Sequence, residues 1–180
     1  MSRDSKLTTF SYAILALVGR GGAGPHDIVQ MMREGAVFWT TSESHFYAEP
    51  KRLAGLGYLT AEKQPGRTRE RTHYRLTEKG RKALQAWLPE PALMPRVQNE
   101  AAIKLLAADF SDDEAILASL AGLHQHLAAG YRDLENMERR AELIPHRTRY
   151  LRLLNELARR TFDTQRDWLE HVEEQLGPTE

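Results

Sequence analysis

The sequence predicts a mainly α-helical protein of two domains, with one β-hairpin placed in the first of them. Three observations carry this. Apolar residues recur at helical spacing through most of the chain. A strand-like alternation occurs around the turn "PGRTR". The proline-rich stretch "LPEPALMPR" (Leu88–Arg96) separates a basic half from an acidic one.

The 180 residues sum to zero formal charge. Residues 1–88 nevertheless hold 14 Lys and Arg against 8 Asp and Glu, and residues 89–180 hold 11 against 17. A basic half joined to an acidic one suggests that the first meets a polyanion and the second does not. The boundaries follow: a domain over 1–88, a Pro-rich linker over 89–96 and a second domain over 97–180. Cys is absent, which excludes disulfides, thiolate catalysis and cysteine-ligated zinc. No apolar run reaches the 18 or so residues that span a bilayer, and "MSRDSKLTTF" has no signal-peptide core. The expected location is the cytoplasm, away from the membrane.

In "FSYAILALV", Phe10, Ala13, Ile14 and Leu17 form a one-sided helical stripe, and "GRGGAG" ends that helix. Pro25 suits a first helical position, and Ile28, Met31 and Met32 give the second helix its stripe before Gly35. A third helix covers 42–56: Ser42 is the expected N-cap, and Phe46, Pro50 and Leu53 fall in one narrow sector. Its opposite side carries Ser44, Ala48 and Lys51, flanked by His45, Tyr47 and Arg52. A slim, donor-rich face of this kind can enter a major groove about 12 Å wide. Two strands follow, "YLTAEKQ" and "ERTHYRL". In the second, Thr72, Tyr74 and Leu76 point one way, and Arg71, His73 and Arg75 the other. Thr77 caps a fourth helix carrying Ala83, Leu84, Trp87 and Leu88.

Three helices followed by a basic hairpin make a winged helix-turn-helix. In that arrangement Arg67, Arg69, Arg71 and His73 lie on phosphates or dip into the minor groove, while the third helix reads base edges. The residues expected at double-stranded DNA are therefore Ser42, Ser44, His45, Tyr47, Lys51, Arg52, Arg67, Arg69, Arg71 and His73. A solvated charged hairpin is the bland alternative.

"FSYAILALV", "SHFYAEPKRLAGLGYL" and "RTHYRLTEKGRKAL" resemble the PadR family of bacterial transcriptional regulators, over roughly half the chain. The resemblance implies a homodimer with a winged-helix N-terminal domain, a helical C-terminal domain and, usually, repression of neighbouring genes. It places Tyr47, Lys51 and Arg52 in the recognition helix, and Tyr74, Arg75 and Leu76 in the second strand of the wing. Two departures stand out. Pro50 replaces a common aliphatic residue and is expected to bend the helix, at a cost of ~3 kcal/mol. "GPHDIVQMM" lacks the Gly-Tyr pair frequent in the second helix.

In the acidic half, Ile103, Leu106 and Phe110 mark one side of a helix of about three turns. Ser111 with Glu114 reads as a capping box. From Ile116 a seam runs through Leu120, Leu123, Leu127, Gly130, Leu134, Met137, Ala141 and Ile144 at alternating spacings of four and three, and Pro145 stops it. A single helix of that length would extend about 50 Å. Leu151, Leu154, Ala158, Phe162, Gln165, Leu169, Val172 and Leu176 repeat the pattern. The two helices can fold back on each other, and the preferred reading pairs them with a second copy through Leu120, Leu123, Leu127, Leu134, Leu154, Phe162 and Leu169. An intramolecular hairpin is the competing reading.

No catalytic constellation appears, no cofactor is implied, and His124 and His126 diverge by about 200° on a helix rather than facing one ion. Trp39 and Trp168 are candidates for an effector site taking an aromatic small molecule, as aromatic residues do in some members of the family resembled; ordinary packing is the alternative. The expectation is a DNA-binding homodimeric repressor, not an enzyme, acting on an inverted-repeat operator and released by an effector. A protein-interaction adaptor is the second reading.

Overall fold

The computed structural model describes residues 7–39, 42–65, 71–95 and 97–178. The chain divides into two compact units, Met1–Leu93 and Met94–Glu180.

Unit 1 is built from α1 (Thr9–Val18), α2 (Pro25–Glu34), α3 (Glu43–Gly55), β1 (Leu59–Gln64), β2 (Arg71–Leu76) and α4 (Glu78–Trp87). Ile14, Leu15, Val18, Ile28, Met32, Leu53, Leu59 and Tyr74 form its core. The buried face of α1 comprises Ser11, Ile14, Leu15 and Val18. That is a correction to the stripe through Phe10, Ala13 and Leu17, which are only half-buried. The reason is tertiary: α2, α3, α4 and β2 all pack on α1, so nearly every side of it is covered. Thr8 caps α1, with its hydroxyl accepting from Ser11 N at 3.2 Å.

β1 and β2 pair antiparallel with Leu59 opposite Leu76 and Gln64 opposite Arg71. A further bridge joins Ala23 to Tyr74 through two backbone bonds of 3.0 and 2.9 Å, which hangs the hairpin on the α1–α2 connection. Gly22 precedes that bridge with φ +80, a left-handed conformation that suits glycine. Thr77 caps α4 through Gly80 N and also donates to the Gly57 carbonyl at 2.7 Å, locking the wing to the helix that follows it.

Unit 2 contains α5 (Glu100–Leu106), a 3-10 turn (Ala108–Phe110), α6 (Asp113–Leu120), α7 (Gly122–Glu142) and α8 (Thr148–Leu176). Two expectations change here. The N-cap of α6 is Asp112, accepting from Ala115 N at 2.8 Å, not Ser111; a carboxylate satisfies the orphan N–H and the helix dipole together. The single long rod is two helices, interrupted at Ala121 before Gly122, where a residue of low helix propensity begins the next helix. α7 is then about 32 Å long and α8 about 44 Å.

α7 and α8 form an antiparallel hairpin. Thr148 closes its turn by donating to the carbonyls of Ala141 and Ile144 at 2.8 and 3.1 Å. Cross-helix bonds fix the register: Arg152 to Glu142, Arg159 to Glu138, Tyr131 to Asp163 and His124 to Glu173. Gly130 admits the Phe162 ring, since a Cβ there would stand 2.7 Å from Phe162 Cζ. The glycine in the seam is thus a packing requirement.

Candidate nucleic-acid interface

α3 sorts its side chains cleanly. Phe46, Pro50 and Leu53 are buried in the unit 1 core. Ser44, His45, Tyr47, Ala48 and Lys51 are exposed, Tyr47 to 42%. The helix runs unbroken through Pro50. Ser42 occupies the N-cap position, yet its hydroxyl meets Ser44 Oγ at 2.9 Å and His45 Nδ1 at 3.1 Å rather than a backbone N–H. Its role is to pre-order the polar side chains at the start of the exposed face. The result is a continuous surface of hydroxyls, one imidazole, one phenol and one ammonium, with no long aliphatic group on it. Such groups match the donors and acceptors of base edges and phosphates.

Arg52 departs from the sequence-based expectation. Its guanidinium turns toward α1, donating to Glu49 at 2.8 and 2.7 Å and to Ser11 Oγ at 3.1 Å. A neighbouring, largely shielded carboxylate outcompetes solvent for a bidentate donor, so Arg52 serves the helix first.

On the wing, Arg71 and Arg75 are exposed, and Arg75 Nε lies 3.3 Å from Glu62 Oε2 on the opposite strand. His73 is half-buried: its ring lies over Gly22, with Nε2 3.4 Å from the Gly21 carbonyl oxygen. It is a packing residue of the α1–α2 connection as much as a surface group. Arg67 and Arg69 lie outside the described residues.

Residues 14–86 match the family described as Transcriptional regulator PadR-like family. Residues 97–177, which make up most of unit 2, match a second family, Virulence activator alpha C-term. Among curated proteins, the negative transcriptional regulator PadR of Bacillus subtilis (strain 168) is 32% identical over 84 residues. That match covers 46% of each chain, a little under half the relative's length. Among solved structures, Bacillus subtilis PadR in complex with operator DNA superimposes with a TM-score of 0.75 at 23% identity, covering 95% of this chain and 99% of that one. The same Bacillus subtilis protein in complex with p-coumaric acid gives a TM-score of 0.62 at 23% identity, covering 94% and 96%.

Within one protomer the seven seam residues expected at a dimer contact divide between buried and half-buried positions. Leu120, Leu127, Leu134 and Leu169 are buried within unit 2, and Leu123, Leu154 and Phe162 are half-buried there. α7 and α8 pack against each other along these seams within the protomer. Apolar surface remains both on the hairpin, at Leu143, Tyr150, Leu153 and Leu157, and before it, where Ile103, Leu106 and Phe110 are 61%, 84% and 89% exposed. α5 instead turns Ala101 and Leu105 inward, so both of its faces are apolar.

The two tryptophans sit in different units. Trp39 packs on the unit 1 core, where its indole N–H donates to the Met32 carbonyl at 2.9 Å and its ring lies against Gly35. Trp168 lines an open cavity of about 300 Å³ in unit 2, together with Leu123, Leu127, Phe162, His126 and Gln165. Among the described residues no cluster of three or more His, Asp or Glu could hold a metal ion.

Sequence reading missed three buried polar residues, Ser11, Glu34 and Asn155. Ser11 stands inside an apolar run and is fully buried. Asn155 is 3% exposed, and its Nδ2 has no hydrogen-bond partner among the described residues. Asn155 was detectable, because Leu151, Asn155, Ala158 and Phe162 also follow spacings of four and three.

Proposed function

We propose that the chain is a homodimeric, sequence-specific regulator of transcription that binds double-stranded DNA and represses nearby genes from the cytoplasm. The observation that carries this reading is the exposed polar face of α3, from which every large aliphatic group is turned away. Ser42, Ser44, His45, Tyr47 and Lys51 contact bases and adjacent phosphates. Arg71, with Arg67 and Arg69 by their position in the sequence, contacts the flanking backbone. The Bacillus subtilis relative solved with operator DNA supports the same use of the fold.

Dimerisation follows from α5 and the 3-10 turn after it. Ile103, Leu106 and Phe110 together offer an apolar surface that a second copy can bury, and two copies related by a two-fold axis read an inverted repeat. Effector release is assigned to the Trp168 cavity, whose lining of Leu123, Leu127, Phe162 and Trp168 with His126 and Gln165 suits a flat aromatic molecule. The relative solved with p-coumaric acid supports an aromatic ligand. Trp39 is left to packing. The chain regulates rather than catalyses.

Titration against a random duplex pool at several salt concentrations tests the reading. Binding should weaken steeply with salt and leave a sequence-specific remainder. Arg69→Ala should weaken all duplexes alike, whereas Lys51→Ala or Tyr47→Ala should shift preference among duplexes by about 1–3 kcal/mol. Equal losses on selected and random DNA for all three variants would remove the assignment of bases to α3.

A further inference from the structure

Unit 1 holds a partly buried polar network that the contact with DNA does not itself require. It starts at the α1 N-terminus, where Thr8 N donates to Ser11 Oγ at 2.9 Å. Ser11 Oγ donates to Glu49 Oε1 at 2.6 Å. Both oxygens of Glu49 also accept from Arg52, and Arg52 Nη2 reaches back to Ser11 Oγ at 3.1 Å. Ser11 is fully buried, and the Glu49 side chain is only 13% exposed. A carboxylate is costly to place in such surroundings unless its lone pairs are filled, and here they are filled from two helices.

The position of this network within α3 gives it a meaning. Glu49 immediately precedes Pro50, a fully buried residue inside the helix. Proline has no N–H, so the Phe46 carbonyl loses its usual donor four residues on, and the proline ring disfavours helical geometry at Glu49 itself. The helix is weakest at the junction between its first half, which presents Ser44 and Tyr47, and the turn that presents Lys51. Glu49 lies on one side of that junction and Arg52 on the other, and both are tied to the same hydroxyl of α1.

We propose that Ser11, Glu49 and Arg52 are positioning residues that stand in for the backbone bond missing at Pro50. They fix the direction in which Tyr47 and Lys51 leave α3, and through it the sequence preference of the protein. The proposal rests on the DNA-reading function set out above. Its two halves are separable, since helix positioning is measurable without DNA.

The test uses the full-length chain with two probes: the duplex most enriched from a random pool by the wild-type protein, and a scrambled duplex of the same composition. Ser11→Ala should weaken the selected duplex about tenfold. Scrambled DNA should change by less than about twofold, since the phosphate-neutralising charges are untouched. In a Pro50→Ala background, where the backbone donor is restored, the same serine change should alter the selected-to-scrambled ratio by less than about twofold. Amide exchange without DNA should show residues 47–55 less protected in Ser11→Ala and restored in the double variant.

An unchanged ratio in Ser11→Ala, or equal losses in the two backgrounds, overturns the proposal. If Ser11→Ala fails to fold, Glu49→Gln takes its place with the same two outcomes. A wild-type protein with no sequence preference sinks the DNA-reading function, and the exchange comparison alone then decides helix positioning. Unchanged protection across 47–55 rejects it.

Discussion

Replacing Gly22 by alanine tests how the wing is attached. Gly22 has φ +80, and a Cβ there would lie 2.7 Å from the Tyr74 carbonyl oxygen and collide with the His73 ring. Holding a residue with a Cβ in this left-handed region costs roughly 1–2 kcal/mol. Relieving the collision means pushing β2 away from Ala23. That loosens the paired bonds Ala23 N to Tyr74 O and Tyr74 N to Ala23 O, at 3.0 and 2.9 Å, each with a net contribution of about 0.5–1.5 kcal/mol. The expected loss for Gly22→Ala is therefore about 2–4 kcal/mol, a large part of the 5–15 kcal/mol typical of a domain. In a unit of this size it corresponds to a fall in Tm of roughly 10–25 °C. Urea and thermal melts followed by fluorescence in a Trp168→Phe background isolate unit 1, because the remaining reporters are Trp39 and Trp87. Gly21→Ala is the control. A Cβ at Gly21 would meet nothing within 4 Å, and its φ is not positive, so stability should hold or rise by up to about 1 kcal/mol. Equal effects at the two glycines, or no loss at Gly22, would refute the reasoning.

Three further outcomes follow from the same contacts. Asn155→Leu should stabilise unit 2 by about 1 kcal/mol in urea unfolding, since it removes a buried unsatisfied donor at similar volume; a loss of that size would show that Nδ2 has an unseen acceptor. Leu106→Glu combined with Phe110→Glu should leave the protomer's stability within about 0.5 kcal/mol and give a monomer by light scattering, because both side chains are exposed in the single chain; a persistent dimer would move the contact elsewhere. Burial opposes ionisation of Glu49, but the hydrogen bonds from Arg52 and Ser11 and the Arg52 charge outweigh it, holding the carboxyl below its ordinary value of 4.5. Its folded pKa is thus depressed, so its contribution is fully present above pH 4.5 and is lost as pH falls through the folded value. Glu49→Gln should flatten the acid limb of the stability profile, and an unchanged limb would contradict that.

The reading face was legible because α3 obeys a simple rule: Phe46, Pro50 and Leu53 share a sector, and burial follows the sector. α1 was harder. Its flanking positions are covered from several sides, so periodicity could not tell which one-residue rotation faces the core, and Ser11 passed unnoticed amid apolar neighbours. Arg52 shows another limit. Composition marks it as a cation available to phosphates, but only the juxtaposition of α1 and α3 reveals Glu49 and Ser11 as its partners. In unit 2 the seam was visible as a pattern, yet a pattern does not say whether its complement is the next helix or another protomer. Gly130 against Phe162 shows that α7 and α8 meet along it within one protomer. The apolar residues left exposed on α5 became evident when its other face was seen to pack inward.

The most direct test of the central claim is an amide chemical-shift titration of the protein with its selected duplex. The account predicts the largest changes at Ser44, His45, Tyr47 and Lys51 of α3, with a second change at Arg71. Perturbations confined to unit 2, or scattered over unit 1 with α3 unaffected, would contradict it.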